Sequence, residues 1–403
     1  MPLSMDRRSF LAGNLTLLLL GGVSTKSFGH QGNHRHPASF VQGVNDAESK
    51  RVRNHIAAFM KKHNVPGLAL AIAKAGELKL VGAFGYSNID EKKPTRPDDL
   101  FRIASVSKPF TSVAVLRLAQ RKRLSLQDKV FGRRGILGKY QDAVSDSAAA
   151  NRRRLEGITV QNLLEHTCGG WGNSKNDPMF DRETMTFDHD RLIRWTLRNR
   201  PLNDYPGDHY DYSNFGYCLL GRVVEVVSGK SYEASVRKLV LEPSGIKEMR
   251  LGNENRKGRF PNEAVYVGQG EDPYHRMMRV KRMDAHGGWV ASAVDLVRFA
   301  VHVDGFRTPP DVLSSAMTGL MARPSSANPN YAKGWNVNES HNWWHIGSFN
   351  GAAAILARIS DGHCWAVVLN TRPRSKEFNG DLDALPWDVT RSVRNWGNHN
   401  LFS

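Results

Sequence analysis

Two pairs of short apolar segments, one near each end of the chain, constrain the fold more than any other feature of the sequence. One pair predicts a β-hairpin over residues 68–84 and the other predicts a hairpin over 352–370. A helical pattern over 47–63 precedes the first hairpin, and a second one over 381–396 follows the other. The pattern predicts an α/β protein in which both chain ends build one antiparallel sheet, flanked by terminal helices, with a mostly helical inserted subdomain at about residues 110–285.

Residues 1–29 have the pattern of an export signal. Arg7 and Arg8 precede an apolar run at 15–20, and a small-x-small cleavage motif lies at 27–29. Paired arginines before a weakly apolar segment resemble a twin-arginine signal. The apolar segment is roughly 13 residues long, whereas a transmembrane helix needs about 20. We therefore predict a bacterial protein exported to the periplasm or the medium, with no transmembrane anchor once the signal is cleaved.

The rest of the chain is expected to form one domain. Residues 30–46 are polar and lack an apolar period, so their three histidines indicate a linker rather than a metal-binding tract. Residues 47–403 contain no repeat or low-complexity block. The cysteines are too few for a disulfide framework; one bridge remains open, but three buried free thiols are favoured. These cysteines are Cys168, Cys218 and Cys364.

The formal net charge of +17 raises the question of a polyanionic partner. The basic clusters lie between apolar segments rather than in a tail, and no zinc finger or RNA-binding motif accompanies them. A nucleic-acid partner is therefore not expected. Solvated basic surfaces are favoured, and attraction to an anionic envelope polymer such as peptidoglycan is the alternative.

The most informative local motif is the sequence FRIASVSKPF at residues 101–110, which precedes an almost wholly apolar helix. If Ser105 lies at the start of that helix, Lys108 shares its face, because residues three apart are neighbours. The unpaired N–H groups and positive dipole end of the helix favour an oxyanion. A lysine in a pocket of low dielectric can lose its proton and act as a base for the serine. The motif predicts Ser105 as a nucleophile and Lys108 as its base.

A second motif, HYDYSNFGY at residues 209–217, precedes the apolar helix at 218–227. Tyr212 and Asn214 lie two residues apart in an irregular segment, so both side chains can enter one cleft. The phenol could shuttle a proton between Ser105 and the leaving group, and the amide could hold the lysine and the substrate carbonyl. Taken alone, the motif also fits a packed tyrosine and a capping asparagine.

The third motif is WWHIGS at residues 343–348, directly before the second hairpin. If this strand borders the cleft, the N–H of Ser348 joins that of Ser105 as an oxyanion hole. Gly347 permits close approach of the backbone. His345 alone would more often be a structural histidine than a catalytic one.

The three motifs S-x-x-K, Y-x-N and H-x-G occur in the order found in the serine β-lactamase-related family, which the chain resembles from about residue 52 to 370. This family includes class C β-lactamases, D-alanyl-D-alanine carboxypeptidases and family VIII esterases. LLEHTCGG at 163–170 and GGWVASAVDL at 287–296 resemble further family segments. The resemblance implies a β-lactamase/transpeptidase-like fold with the site in a cleft between its two parts. It also implies the roles of the site residues, namely the nucleophile Ser105, its base Lys108, the acid/base Tyr212 and the lysine and substrate ligand Asn214.

One departure from the family bears on the substrate. Where β-lactamases and transpeptidases usually carry Lys-Thr-Gly to bind a carboxylate beside the scissile amide, this chain has His345, Ile346 and Gly347. Histidine is mostly neutral at pH 7 and isoleucine has no hydroxyl. A neutral ester is therefore favoured, although Arg372 or Arg374 could supply the missing charge.

Two further expectations concern the surroundings of the cleft. A rather apolar pocket is expected from four tryptophans, with core packing as the alternative; they are Trp289, Trp335, Trp343 and Trp344. Cys168 lies two residues from His166, so a cysteine–histidine nucleophile pair is conceivable, but a structural role is favoured.

The sequence therefore predicts an exported serine hydrolase that forms an acyl-enzyme on small esters and, less efficiently, on amides or β-lactams. No metal or other cofactor is expected. A carboxypeptidase that trims peptidoglycan and a catalytically silent envelope-binding protein are the alternatives. Other hydrolase classes lack support, since the chain has no G-x-S-x-G elbow and no H-E-x-x-H motif.

Overall fold

The computed structural model describes residues 39–173, 177–275 and 279–402. The strands in these ranges are β1 (Phe40–Gln42), β2 (Gly67–Lys74), β3 (Glu77–Asn88), β4 (Lys93–Pro94), β5 (Phe101–Arg102), β6 (Arg250–Leu251), β7 (Trp289–Ala291), β8 (Asn336–Val337), β9 (Trp343–Phe349), β10 (Ala352–Arg358) and β11 (His363–Leu369). The helices are α1 (Asp46–His63), α2 (Ser107–Gln120), α3 (Gln141–Ser145), α4 (Ala149–Gly157), α5 (Val160–Leu164), α6 (His189–Asn199), α7 (Asn214–Ser228), α8 (Tyr232–Val236), α9 (Ala293–Val301), α10 (Ser315–Ala322) and α11 (Phe378–Ser392).

The main sheet is antiparallel, with the strand order β1-β3-β2-β11-β10-β9-β8 and β4 paired to β3. The β2–β3 turn places Gly76 at a φ of 82°, and the β10–β11 turn places Gly362 at 93°, both in the left-handed region that favours glycine. Strands from the two chain ends pair in the centre of the sheet, where Leu68 of β2 lies opposite Leu369 of β11. The predicted fold, one antiparallel sheet assembled from both ends of the chain, is confirmed.

Both faces of this sheet are covered. Strands β10 and β11 are buried at every residue, which explains their continuous rather than alternating apolar sequences. One face packs against α1 and α11, and Trp344 belongs to this apolar cluster. The other face packs against α9 and the helical part of the molecule, and Trp343 belongs to that cluster. Neighbouring residues of β9 therefore face opposite sides of the sheet, as the two-residue period of a strand requires.

The helical subdomain is inserted between β5 and β7. These two strands pair with each other, with Phe101 opposite Ala291, and β6 completes a small sheet. Within the insertion, α2 and most of α7 are buried, as expected of helices that are apolar on all sides. The turn that follows β5 consequently lies where the insertion meets the edge of the main sheet, and this turn carries Ser105.

The segment predicted to be a linker, 30–46, lies partly within the described residues. Phe40–Gln42 form strand β1, which pairs with Val81–Ala83 of β3 as an edge strand. The prediction of a linker is therefore wrong for residues 40–42, because an edge strand is held by main-chain hydrogen bonds and needs no apolar period. The predicted signal, 1–29, lies outside the described residues. None of the helices in the described ranges combines the length and the hydrophobicity that are needed to cross a membrane.

Candidate active site

Ser105 lies in a 3₁₀ turn, Ala104–Val106, between β5 and α2. Ala104 has a left-handed backbone with a φ of 45°, which costs a residue other than glycine of order 1–3 kcal/mol. Ser105 was expected at the start of α2. Because the chain bends at Ala104, Ser105 lies instead in the turn directly before that helix. The half-buried serine side chain is thereby fixed next to the end of α2.

Lys108, in the first turn of α2, is completely buried. Its Nζ lies 3.2 Å from Ser105 Oγ, 2.7 Å from Asn214 Oδ1 and 3.1 Å from the carbonyl oxygen of His286. Burial lowers the pKa of Lys108 well below its ordinary value, against the opposing attraction of Asp177. A neutral amine has two hydrogens, and the amide and carbonyl oxygens can only accept them. The nitrogen lone pair is then left facing the Ser105 hydroxyl, which is the geometry of a base.

Asn214 is the first residue of α7, and its amide orientation is fixed by its neighbours. Nδ2 donates to Asn173 Oδ1 and to Asp177 Oδ2, each at 3.0 Å. Both partners are oxygens, so the amide nitrogen faces them and Oδ1 is directed at Lys108. Burial raises the pKa of Asp177 to about 6, although hydrogen bonds from Met179 and Asn214 oppose the increase.

Asn173, Asp177 and the His286 carbonyl are site groups that no sequence motif predicted. Asn173 and Asp177 lie in an irregular stretch without an apolar period, and the His286 carbonyl belongs to the backbone. In the sequence, the only feature next to His286 that indicated the site was the family-like segment that begins at Gly287.

Tyr212 covers Lys108 and contacts Ser105. The ring centroid is 4.6 Å from Lys108 Nζ, and the phenol is hydrogen-bonded to the Ser105 side chain. Burial raises the pKa of Tyr212 above its ordinary value, so the resting group is a neutral phenol. The structure therefore brings Ser105, Lys108, Tyr212 and Asn214 into one cluster.

His166 supports the Tyr212 ring from behind, with the ring centroids 4.3 Å apart. Its Nδ1 accepts the backbone N–H of Ser213 at 3.1 Å. Nε2 therefore carries the hydrogen and donates to the Tyr331 hydroxyl at 3.0 Å. Burial lowers the pKa of His166 well below its ordinary value, so this imidazole is a neutral structural support.

The conceivable nucleophile pair of Cys168 and His166 is wrong. Cys168 Sγ donates to the Gly170 carbonyl at 3.1 Å, and burial raises the pKa of the thiol to about 12. A thiol that stays protonated is a poor nucleophile. Cys168, Cys218 and Cys364 are all buried free thiols.

Strand β9 lies against the nucleophile turn. A methyl group on Gly347 would lie 2.0 Å from the Ile103 carbonyl oxygen and 3.2 Å from the Ser105 amide nitrogen, so no side chain fits there. Strand β8 pairs with β9 only at Trp343 and Trp344. Gly347 therefore lies directly against the turn that carries Ser105, and the oxyanion hole of Ser105 and Ser348 stays a prediction.

His345 lies two residues before Gly347 and is only 2% exposed. Its ring centroid is 6.2 Å from that of Tyr212. Burial, followed by the charge of Lys108, lowers the pKa of His345 to about 3. The side chain is therefore a neutral imidazole at the edge of the serine cluster.

Arg372 and Arg374 both pair with the buried carboxylate of Glu271. One carboxylate offsets only one of the two positive charges, so a charge supplied by these arginines stays a prediction.

The predicted tryptophan pocket is wrong. Trp289 and Trp335 are fully buried in the core, and Trp344 packs on the far face of the sheet. The packing of the core determines where large apolar side chains lie. Residue type alone does not reveal which face of the sheet a tryptophan packs on.

The Beta-lactamase family model matches residues 52–385. The chain is 25% identical over 337 residues to Protein flp of Staphylococcus aureus (strain MW2), covering 81% of this chain and 63% of that protein. It thus spans less than two thirds of the length of that relative.

Two further relatives agree with the family match. Penicillin-binding protein 4* of Bacillus subtilis (strain 168) is 32% identical over 348 residues, which cover 79% of this chain and 70% of that protein. The crystal structure of D-alanine carboxypeptidase AmpC from Burkholderia cenocepacia superposes with a TM-score of 0.65 at 19% identity, over 86% of this chain and 99% of that one.

Proposed function

Because this chain belongs to the Beta-lactamase family, we propose that it is an exported serine hydrolase that forms an acyl-enzyme on Ser105 and acts on small esters. The observation that carries the proposal is the placement of Lys108 Nζ, 3.2 Å from Ser105 Oγ, with its hydrogens directed at two other oxygens. A serine is a weak nucleophile unless an adjacent base accepts its proton. The buried neutral amine meets that need.

The reaction proceeds in two balanced steps. Lys108 accepts the Ser105 proton while Oγ attacks the ester carbonyl, and the N–H groups of Ser105 and Ser348 stabilise the oxyanion. The ester C–O bond then breaks, and the leaving alcohol takes a proton relayed through Tyr212. Water, deprotonated by the same groups, attacks the acyl-enzyme. The carboxylic acid is released and Ser105 regains its hydrogen, so the sum is ester plus water to acid plus alcohol.

Neutral esters are favoured over β-lactams and peptides with a terminal carboxylate. His345 is neutral and Ile346 has no hydroxyl. A substrate carboxylate would thus find no cationic partner at these two positions of β9, which leaves a desolvation penalty. β-Lactams are expected as slower substrates.

The nucleophile is tested by covalent labelling. Wild-type protein should react stoichiometrically with a fluorophosphonate and hydrolyse a chromogenic ester, and Ser105→Ala should lose both properties. Ser107→Ala is the matched control, because Ser107 is a buried serine two residues away whose removal should leave labelling intact. Retained labelling in Ser105→Ala would reject the assignment. Failure of the wild type to label or turn over any ester would instead favour a silent binding protein.

A D-alanyl-D-alanine carboxypeptidase is the second candidate, supported by the similarity of the fold to D-alanine carboxypeptidase AmpC. Release of D-alanine from a D-Ala-D-Ala peptide, compared with ester hydrolysis by the same preparation, separates the two. D-Alanine release that exceeds ester turnover would replace the esterase proposal.

Export is proposed from residues 1–29, in which Arg7 and Arg8 precede the apolar segment. Replacing both arginines by lysine should retain the protein in the cytoplasm of a bacterial host, as cell fractionation would show. Unchanged export would exclude a twin-arginine route.

A further inference from the structure

The His345 imidazole has a defined tautomer. Nδ1 lies 2.9 Å from the Ile346 carbonyl oxygen, and a carbonyl can only accept, so Nδ1 carries the hydrogen. Nε2 is then a bare acceptor. It is buried and has no hydrogen-bond partner among the described residues. Buried polar atoms in proteins are usually paired, and this unpaired acceptor lies at the edge of the serine cluster, where a substrate group could bind it.

The position of His345 assigns that partner to one part of the substrate. Alternate residues of a strand point to the same side, so His345 is directed to the side of β9 on which Gly347 meets the serine turn. Its ring also lies beside Tyr212, at 6.2 Å between centroids. Tyr212 is the group proposed to hand a proton to the leaving oxygen. If Tyr212 has that role, His345 lies on the side of the leaving group and not of the acyl chain.

The charged groups around the cleft do not compensate for this acceptor. The buried Arg282 donates to the carbonyl oxygens of Thr184, Phe187 and Met179. Arg372 and Arg374 share the single carboxylate of Glu271. Among the described residues no arginine or lysine donates to His345 Nε2, so the wall at β9 presents an acceptor where a carboxylate would need a donor.

We propose that His345 selects a leaving group that carries a hydrogen-bond donor, either a second hydroxyl or an ammonium, and discriminates against one that carries a carboxylate. The inference rests on the proposed ester hydrolysis at Ser105 and names its substrate class as esters of polyols or amino alcohols. Nε2 would accept the donor, and the unpaired nitrogen would gain its missing partner.

Three butyrate esters of similar size test the leaving group. The 2-hydroxyethyl ester offers a donor, the propyl ester replaces that hydroxyl by a methyl group, and the carboxymethyl ester introduces a carboxylate. Hydrolysis is followed by pH-stat titration, with the active-site concentration determined by fluorophosphonate labelling. We expect kcat/KM for the 2-hydroxyethyl ester to exceed that for the propyl ester roughly 10-fold, the size of one good buried hydrogen bond. The carboxymethyl ester should be the slowest.

Variants at position 345 assign the preference to the imidazole. His345→Leu removes the acceptor and should bring the ratio of the first two esters to about one. His345→Gln retains an acceptor oxygen and should keep a ratio well above one. His363→Leu is the matched control, since His363 is also buried with an unpartnered Nε2, but lies at the start of β11, towards the end of the sheet opposite Gly347. It should leave the wild-type ratio unchanged.

The possible outcomes separate this inference from the proposed function. Equal rates on the 2-hydroxyethyl and propyl esters, or fastest turnover of the carboxymethyl ester, would overturn the donor preference while leaving the esterase intact. A preference that survives in His345→Leu but disappears in His286→Gln would also overturn it, because His286 Nε2 is likewise buried without a hydrogen-bond partner among the described residues. Absence of both labelling and turnover would reject the hydrolase itself, and with it the inference.

Discussion

Two walls meet at Ser105, and they differ in how completely their polar groups are paired. The helical wall consists of Lys108, Asn214 and Asp177, which are joined by hydrogen bonds of 2.7 and 3.0 Å. The strand wall is the part of β9 from 345 to 348, where His345 Nε2 has no partner among the described residues. The helical wall is thus complete before a substrate binds, whereas the strand wall lacks a group that the substrate must supply.

The difference separates chemistry from selectivity. Groups that move protons need fixed geometry and tuned pKa values, which a closed hydrogen-bond network provides. Groups that determine substrate selectivity must keep a hydrogen-bond donor or acceptor free for the substrate. Changes in the helical wall should therefore lower rates on all substrates, and changes in the strand wall should alter the ratio between substrates.

The largest effect is expected from Tyr212→Phe. Loss of the phenol removes the hydrogen bond to Ser105 and the acid for the leaving group, and should slow acylation by about 10²-fold or more on every ester. Stopped-flow release of a chromogenic alcohol measures this step. Tyr232→Phe, which removes another buried phenol, controls for lost stability. Acylation at the wild-type rate would clear Tyr212 of any role in proton transfer.

Gly347→Ala tests whether the contact between the walls matters. The added methyl group would lie 2.0 Å from the Ile103 carbonyl oxygen, so β9 must move away from the serine turn. Misplacement on this scale should lower kcat/KM roughly 10- to 100-fold. Gly319→Ala in α10 is the control, because a methyl group there meets nothing within 4 Å. An active Gly347→Ala enzyme would show that the predicted oxyanion hole does not depend on this approach.

The sequence was sufficient for the fold and for the groups that lie in ordered motifs. Pairs of short apolar segments on either side of a turn predicted the hairpins, and the spacing of Ser105 and Lys108 predicted their contact because residues three apart are neighbours. Asp177 could not be predicted in this way. It reaches Asn214 through the packing of an irregular segment, 37 residues away in the chain.

The strand wall shows the same limit. The motif predicted that His345, Gly347 and Ser348 border the cleft, but the tautomer of His345 depends on one backbone carbonyl in the folded chain. The predicted tryptophan pocket failed because Trp344 alternates to the other face of β9. Local patterns identify which residues are buried, whereas tertiary structure decides what they face.

Asp177→Asn should shift the pH dependence of the helical wall. The reactive form has a neutral Lys108, so kcat/KM rises with pH through the pKa of that amine. The Asp177 carboxylate raises this pKa by attraction, and its removal should move the acidic limb of the profile to lower pH. Because Asp177 itself has a pKa of about 6, the two profiles should converge below that pH.

The control for this shift is Asp181→Asn, a carboxylate paired with Arg200. It should not move the profile. An acidic limb that stays in place in Asp177→Asn, or moves to higher pH, would contradict the electrostatic coupling between Asp177 and Lys108.

The smallest effect is expected from replacing residues of the strand wall by those of the Lys-Thr-Gly motif. The double variant His345→Lys and Ile346→Thr introduces a cation on the side of β9 that meets the serine turn, and should lower the ratio of ester to cephalosporin hydrolysis by about 10-fold. Ile346→Thr alone should change the ratio less, because Ile346 packs with the apolar cluster on the far face of the sheet. Because both positions lie outside the network of the helical wall, fluorophosphonate labelling of Ser105 should persist. If the ratio is unchanged while labelling persists, substrate choice does not reside in β9, and the division between the two walls fails.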